Sequence, residues 1–332
     1  SVGITEEYIN YHCSTLDISR DQLKTFTIPD NVRWIGGDAF RGCTSLKSIN
    51  IPNSVKKIGY RAFRECTSLQ SIDIPNSVTV IDGKFLQGCT SLESINIPNS
   101  VTEIGVRAFY GCTSLQSITI PDGVTEIGES TFEKCTSLTS ITLPDTVTKI
   151  DEFAFDGCTS LKSITIPDSV TIIDVRAFDG CTSLTQVICN NPDLFTDQNT
   201  ENRDQIQFIS TANYFNNNYQ ALLKAIGSSG LNTDSLSNKE LNLLMRLDQE
   251  DYLPDWNTIA TTFNERSMPQ IKAILDYFGK GELMPKIFNT VSLGTNHVQP
   301  IYLDRLSIFL TPKDHVNLSM TAKNVTLRTI IE

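Results

Sequence analysis

Seven cysteines recur at one fixed spacing, and they are the residues of this chain best suited to chemistry. Each opens the tetrapeptide Cys-Thr-Ser-Leu and lies 23 residues from the next. They are Cys43, Cys66, Cys89, Cys112, Cys135, Cys158 and Cys181. A thiolate can act as a nucleophile, bind a metal ion or form a disulfide. A cysteine at the same position of every repeat is more typical of a small core residue, so we predict buried, reduced thiols.

Two smaller groups are the remaining candidates for a reactive site. His12 and Cys13 are neighbours, but no second His or Cys lies near them, and we expect no metal site there. Asp304 and Asp314 lie near His315 in the sequence, and an Asp with this His has the residue types of an acid–base pair. Metal-ligand spacing and Gly-rich phosphate loops are absent from the sequence. We therefore predict no catalytic residue, no metal and no cofactor.

Composition restricts the class of partner. The chain has 332 residues, a formal net charge of −11 and a sequence pI near 4.8. Nucleic-acid binding requires a concentrated basic surface, so nucleic acid is not expected as a partner. No run of 18 apolar residues is present, and no membrane span is expected. The sequence begins with Ser1 rather than Met, so we expect a trimmed N-terminus, and we expect a monomer.

The cysteine period extends to a whole structural unit. In residues 46–66, Ile49 and Ile51 alternate with polar residues, as in a strand with one buried face. Pro52 ends that strand and begins a turn. Each unit supplies inward Leu, Ile, Ile, Val, Ile, Ala, Phe and Cys, which one unit cannot bury alone. Stacked units would bury them in a continuous core and place parallel strands about 4.8 Å apart. The period predicts eight such strands from Leu23 to Leu184.

The repeated pattern is Leu-x-x-Ile-x-Ile-Pro-x-x-Val-x-x-Ile-Gly-x-x-Ala-Phe-x-x-Cys. It resembles the 23-residue leucine-rich repeat of the BspA-like, or treponemal, class. The resemblance covers residues 23–190 and implies an α+β repeat protein, a leucine-rich repeat solenoid with a parallel concave sheet. It further implies protein–protein contact, in surface adhesins and in some secreted bacterial proteins, and it carries over no catalytic residue.

Three departures from the pattern concern the glycine after the third Ile of each unit. Asp82, Asp151 and Asp174 occupy that position, so it does not clearly require a left-handed backbone. In the third unit, Phe85-Leu86 also replaces Ala-Phe.

The chain divides into three predicted segments. Residues 1–22 form an N-terminal cap with a short helix, because a solenoid must cover the apolar end of its first unit. Residues 23–190 form the solenoid, with seven to eight units. Residues 191–332 form a mainly helical C-terminal region. Its predicted helices cover residues 212–226, 237–247, 254–264, 268–278 and 283–291, and a further helix begins at Thr311-Pro312.

The outward residues of the predicted strands are the first candidate binding surface. They are small, polar and mostly uncharged. The predicted contact residues are Ser48, Ser71, Ser94, Ser117, Ser140, Asn96, Thr119 and Thr142. Two interpretations stay open: a flat surface for a protein partner, or small side chains that simply tolerate a tightly spaced sheet. The face lacks the aromatic and Arg residues that dominate most binding hot spots.

A lateral edge of the solenoid is the second, less favoured candidate surface. Arg61, Lys84 and Arg107 occupy the same position of three consecutive units. From residue 29 to 97, eight Lys/Arg and six Asp/Glu give +2, whereas from residue 98 to 190, five and twelve give −7. The three cations would suit an acidic partner, although a solvated face without a specific role is an alternative.

These features favour a protein-binding protein, and three finer alternatives remain. A secreted bacterial effector that binds a host protein is preferred, because the C-terminal region is Asn-rich, lacks cysteine after Cys189 and shows no wall-anchor pattern. A bacterial cell-surface adhesin and an enzyme with its site in the helical C-terminal region are the alternatives. The layout resembles bacterial leucine-rich-repeat ubiquitin ligases, but their catalytic Cys has no counterpart in the C-terminal region.

Overall fold

The computed structural model of the chain describes residues 2–249 and 252–284. The chain divides into two compact units, one ending at Thr211 and the next beginning at Ala212. The predicted α+β repeat fold is confirmed. The first unit is a parallel-strand solenoid of about eight turns with a helical N-terminal cap, and the described part of the second is mainly helical.

The solenoid strands are all short and pair in parallel. In chain order they are β1 (Gly3–Ile4), β2 (Trp34–Ile35), β3 (Lys57–Ile58), β4 (Ser71–Asp73), β5 (Val80–Ile81), β6 (Ser94–Asn96), β7 (Glu103–Ile104), β8 (Glu126–Ile127), β9 (Ser140–Thr142), β10 (Lys149–Ile150), β11 (Ser163–Thr165), β12 (Ile172–Ile173), β13 (Gln186–Ile188) and β14 (Gln207–Ile209).

Each complete coil therefore passes through two strand positions, not one. The three-residue strands pair as β4-β6 and β9-β11-β13-β14, and all of them except β14 follow the Leu of a unit. The two-residue strands pair as β1-β2-β3, β5-β7 and β8-β10-β12. The sequence predicted the first set except β14, and it predicted none of the two-residue strands, because two residues are too few to show a strand period.

The turns between the strands explain where the chain needs special backbone angles. After each first strand, Val55 N–H donates to Pro52 O at 3.0 Å, closing the predicted turn. The position after Ile is not the one that adopts a left-handed backbone. Arg61 and Glu65, further along the unit, do so, with φ 59° and φ 61°. Glycine after Ile instead permits close approach, since a Cβ on Gly59 would lie 2.7 Å from the backbone N of Gly37.

The core of the solenoid is one continuous column of side chains. Phe40 stacks on Phe63 with ring centroids 5.0 Å apart, and Phe132 stacks on Phe155 at 5.4 Å. Offset and edge-on aromatic pairs of this kind add about 0.5–1.5 kcal/mol beyond burial. In the coil where Phe85-Leu86 replaces Ala-Phe, both side chains are buried and Phe85 meets Phe63 edge-on. The hydrophobic core thus stays continuous through this coil, with Leu86 in the place of a Phe.

The turn that carries each Phe forms a hydrogen-bonded ladder with a single polarity. Phe40 N–H donates to Ala62 O of the next coil at 2.7 Å, and Phe155 N–H donates to Ala177 O at 2.8 Å. In the first coil, the turn carbonyl groups therefore have no preceding coil whose N–H groups could bind them. In the last coil, the turn N–H groups have no following coil whose carbonyl groups could accept from them. Glu201 lies at the C-terminal end of the ladder, where its carboxylate accepts from Gly180 N–H at 3.4 Å.

The N-terminal segment closes the first coil. Helix α1 (Glu6–Thr15) begins at Thr5, whose hydroxyl accepts from Tyr8 N–H at 3.1 Å. Ile9 and Cys13 are buried and join the solenoid core. β1 pairs with β2, so the segment also adds a strand to the edge of the sheet.

The solenoid continues beyond residue 190, where its sequence period ends. β14 pairs with β13 in the register Gln186↔Gln207, a spacing of 207 − 186 = 21 residues. Phe195 lies 5.3 Å from Phe178 and continues the aromatic column. The boundary predicted at residue 190 therefore precedes the last strand of the sheet, because this coil is shorter and lacks the Cys-Thr-Ser-Leu sequence.

The helices after the solenoid are α2 (Thr211–Asn218), which begins at the last residue of the first unit, α3 (Gln220–Gly227), α4 (Asn238–Leu247), α5 (Trp256–Thr262) and α6 (Met268–Tyr277). The helix predicted over 212–226 is divided at Tyr219, after three asparagines of low helix propensity. The predicted capping box of α4 is present, with Glu240 N–H donating to Ser237 Oγ at 3.2 Å. The helix predicted to begin at Thr311-Pro312, most of that predicted over 283–291, and Asp304, Asp314 and His315 lie outside the described residues.

Candidate functional site

The outward residues of the three-residue strands and of the same positions in neighbouring coils form the long-strand face. Strand pairing brings Ser71 opposite Ser94 and Asp73 opposite Asn96. Ser140 is paired with Ser163 in the same way. Ser48, Ser117 and Thr119 occupy equivalent positions of coils that have no assigned strand there. Predicted contact residues that are far apart in sequence therefore lie on one face.

The long-strand face is open in the first coils and becomes covered along the stack. Ser48, Ser71, Ser94, Ser117 and Ser140 are all exposed. In the row two residues further on, Asn50, Asp73 and Asn96 are exposed, Thr119 and Thr142 are half-buried, and Thr165 is 5% exposed. The accessible part of the face is thus nearest the N-terminus.

A shallow groove of about 640 Å³ lies at the end of this open part. The strand residues Asn50, Asp73 and Asn96 line one side, and the Pro-turn residues Asp30, Asn53 and Asn76 also line it. Amide and carboxylate groups at this density can hydrogen-bond to main-chain and polar side-chain groups of another protein. The sequence did not reveal the groove, because it arises between coils.

The lateral residues Arg61, Lys84 and Arg107 lie in successive coils, and they have different partners. Arg107 is paired with Glu129, with Nη2 3.2 Å from Oε1. Arg61 and Lys84 instead lie over the ring of Tyr60, with Cζ 4.7 Å and Nζ 5.6 Å from its centroid. A hydrogen bond from Lys84 lowers the pKa of the Tyr60 phenol. Tyr60 was missed in the sequence because its position is not aromatic in other units.

The repeat geometry has a direct counterpart in known families. The profile described as BspA type leucine rich repeat region matches residues 18–139 and 102–227, in six copies, which is more than half of the chain. This chain belongs to the BspA-type leucine-rich repeat family. The resemblance drawn from the repeat pattern is thereby confirmed.

Solved structures of bacterial leucine-rich repeat proteins are similar to this BspA-type chain. A leucine rich cell surface protein of Faecalibacterium prausnitzii has 36% identity, covers 50% of this chain and 53% of its own, and has a TM-score of 0.39. The leucine-rich repeat protein of T. pallidum has 36% identity, covers 46% of this chain and 72% of its own, and has a TM-score of 0.45. The chain thus spans about half the length of the Faecalibacterium protein. No curated protein matches it.

The repeated thiols of the BspA-type units are buried hydrogen-bond donors. Cys66 Sγ donates to Phe40 O at 3.1 Å, and Cys112 Sγ donates to Leu86 O at 3.3 Å. Burial raises the pKa of the Cys89 thiol to about 12. A thiol that is buried and protonated is a poor nucleophile and metal ligand, so these cysteines build the scaffold.

Metal binding and membrane insertion are the other activities that side chains of this BspA-type chain could support. Within residues 2–249 and 252–284, no group of three His, Cys, Asp or Glu side chains is arranged to hold a metal ion. None of the described helices combines the length and the apolar content needed to cross a bilayer. His12 packs edge-on against Phe26 at 5.1 Å, which places it in the cap.

Proposed function

We propose that this chain is a protein-binding module and that its partner contacts the long-strand face in the first coils. The observation that carries the proposal is the exposed polar ladder of Ser48, Ser71, Ser94 and Asn96 beside the groove. Such a face offers small hydroxyl and amide groups, with neighbouring coils about 4.8 Å apart. The affinity of a surface without aromatic anchors comes from hydrogen bonds and shape over many coils.

The location of the binding event is a separate part of the proposal. The family includes adhesins as well as secreted proteins, and one similar protein bears the description leucine rich cell surface protein. We favour the cell surface over the secreted effector, because no feature of the described residues supports delivery into a host cell. Fractionation of the producing bacterium with an antibody to the solenoid distinguishes the two: surface protein remains with intact cells, and an effector is found in the medium or in the host cell.

The binding face is tested by enlarging its small residues. The double variant Ser71→Arg with Ser94→Arg places bulk on the exposed ladder, and Thr79→Arg with Thr102→Arg adds the same bulk and charge at exposed positions of the neighbouring Val-turn region. Surface proteins of candidate partner cells are crosslinked to the wild type and to both variants. We expect one protein to be captured by the wild type and the control but lost with the Ser71/Ser94 variant.

Equal capture by all three proteins would rule out the long-strand face as the contact surface. Thermal unfolding of each variant shows whether its fold is intact, since exposed substitutions normally change stability by less than about 0.5 kcal/mol.

A further inference from the structure

The cationic patch around Tyr60 is a second surface, separate from the long-strand face. The Tyr60 ring lies across the stack because the equivalent position of the next coil is Gly83, where a Cβ would lie 3.2 Å from Tyr60 Cε2. Any larger residue at 83 would push the ring away. The ring therefore contacts cations from two coils, its own Arg61 and the following Lys84.

No described carboxylate neutralises the two cations. Among the described residues, neither Arg61 nor Lys84 forms an ion pair, whereas Arg107 binds Glu129. The nearest acidic residue in sequence to Lys84 is Asp82, and its Oδ1 accepts from Gly83 N–H at 2.8 Å. Arg61 Nε is buried without a hydrogen-bond partner. The ring offsets part of the repulsion between the two cations, but it supplies no anion.

The polarity of the turn ladder does not account for these charges. Cations near its carbonyl end and anions near its N–H end would be favourable, as at helix termini. The residues that directly follow Phe in successive units obey that rule. They are Arg41 and Arg64 in the first coils and Asp156 and Asp179 in the last coils. The row that contains Arg61 and Lys84 does not. It begins with Asp38 at the carbonyl end and ends with Arg176 at the N–H end.

Apolar surface beside the cations indicates the type of anion. Tyr60 is 37% exposed, and Val106, one coil beyond Gly83, is 47% exposed. A polypeptide that alternates acidic and apolar side chains can bind both kinds of group, with charges spaced along an extended chain. A sulfated sugar chain would satisfy the cations but leave Val106 uncovered.

We propose that Tyr60, Arg61 and Lys84 anchor an extended acidic segment of a protein partner, with a carboxylate bound to the guanidinium and the ammonium groups. An apolar side chain of the same segment packs on Tyr60 and Val106. Arg107, which the sequence placed in this surface, contributes less, because Glu129 already binds it.

The probe for this proposal is a fluorescein-labelled peptide of alternating Glu and Leu, measured by fluorescence anisotropy with the full chain at moderate salt. We expect Arg61→Glu with Lys84→Glu to weaken binding by roughly tenfold or more. The matched control is Lys24→Glu with Lys47→Glu, which makes the same change of net charge at exposed sites in the same half of the solenoid. Its affinity should remain within about twofold of wild type at moderate salt, where distant charges are screened.

Two further substitutions separate the ring from the charges. Tyr60→Phe keeps the platform and should bind nearly as the wild type, whereas Tyr60→Ala should weaken the Glu-Leu peptide more than an alternating Glu-Gly peptide. Absence of wild-type binding, or equal losses in both double variants, would overturn the proposal. So would a heparin tetrasaccharide that competes for the site and binds more tightly than the peptide. The test is independent of the long-strand face, whose variants should bind the peptide normally.

Discussion

The guanidinium of Arg20 donates to the main-chain carbonyl of Arg41, with Nε 2.6 Å from the oxygen. Its Nη2 donates to the carbonyl of Asp38 at 2.7 Å. In the following coils, turn carbonyls are bound by N–H groups of the preceding coil, as Arg64 O is by Gly42 N–H at 2.8 Å. The first coil has no predecessor. Arg20 therefore replaces the missing N–H donors and completes the N-terminal cap.

Arg20→Ala should remove the guanidinium donors from both carbonyls, leaving Asp38 O with only the N–H of Arg41, and lower the free energy of unfolding by about 1–3 kcal/mol. Urea unfolding followed by circular dichroism measures the loss. Arg33→Ala removes an exposed arginine close to the same end and is the control. If both variants lose the same small amount, Arg20 does not cap the ladder.

Gly59→Ala should be among the most destabilising small substitutions in the solenoid. Its Cβ would lie 2.7 Å from the backbone of the preceding coil, and overpacking of this kind costs about 1–3 kcal/mol. Gly42, by contrast, has φ 71° with no atom near its Cβ position, and Glu65 and Lys134 adopt the same conformation in their coils. Gly42→Asn should therefore cost less than about 1 kcal/mol, since Asn tolerates this region. A reversed order of melting temperatures would contradict this account of the two turns.

The acidic residues that follow Phe in the last coils should make stability depend on pH. Burial, followed by the charges of Glu133 and Asp179, raises the pKa of Asp156. A carboxyl whose pKa is raised by folding favours the native state while it is protonated, and that contribution is lost as pH rises through the folded-state pKa. Asp156→Asn should thus stabilise the protein at pH 7, by no more than about 0.5 kcal/mol at this partly exposed site.

The gain should disappear below the usual Asp pKa of about 3.9. Unfolding curves across the acid range for the wild type, Asp156→Asn and the exposed control Glu93→Gln measure the effect. A gain that persists in acid would mean that charge is not its cause.

The cysteines should be unreactive in the native protein. All nine are buried, and burial raises the pKa of the Cys43 thiol to about 11 and that of Cys181 to about 12. Ellman's reagent at pH 8 should label them only at the rate at which the solenoid opens, and all of them in denaturant. Fast labelling of several thiols in the folded protein would show that the repeat cysteines are accessible.

Much of the scaffold was predictable because its information is local and repeated. The 23-residue period identified the Leu, Ile, Phe and Cys core positions, the Pro turn and the family, and the capping box at Ser237 and Glu240 marked a helix start in the second unit. The strand period also placed Ser71 and Ser94 on one outward face. Whether that face binds a protein remains a proposal.

Other features depend on contacts between coils, and the sequence pattern of one repeat does not predict these contacts. Arg20 is an ordinary surface-type residue in the sequence and acts as a cap only because its guanidinium meets carbonyls of the first coil. The coil after residue 190 was missed because its spacing changes to 21, although Phe195 still stacks on Phe178.

The sequence by itself determined that this chain stacks similar units, since only stacking buries an apolar set that one unit leaves exposed. The tertiary structure alone decided which exposed residues act together. Arg61 and Lys84 share one aromatic ring because Gly83 leaves space for it, and Arg107 is paired separately with Glu129. The physical reason is distance. Residues 23 positions apart in sequence become neighbours in adjacent coils, and the space between the coils then determines which side chains come into contact.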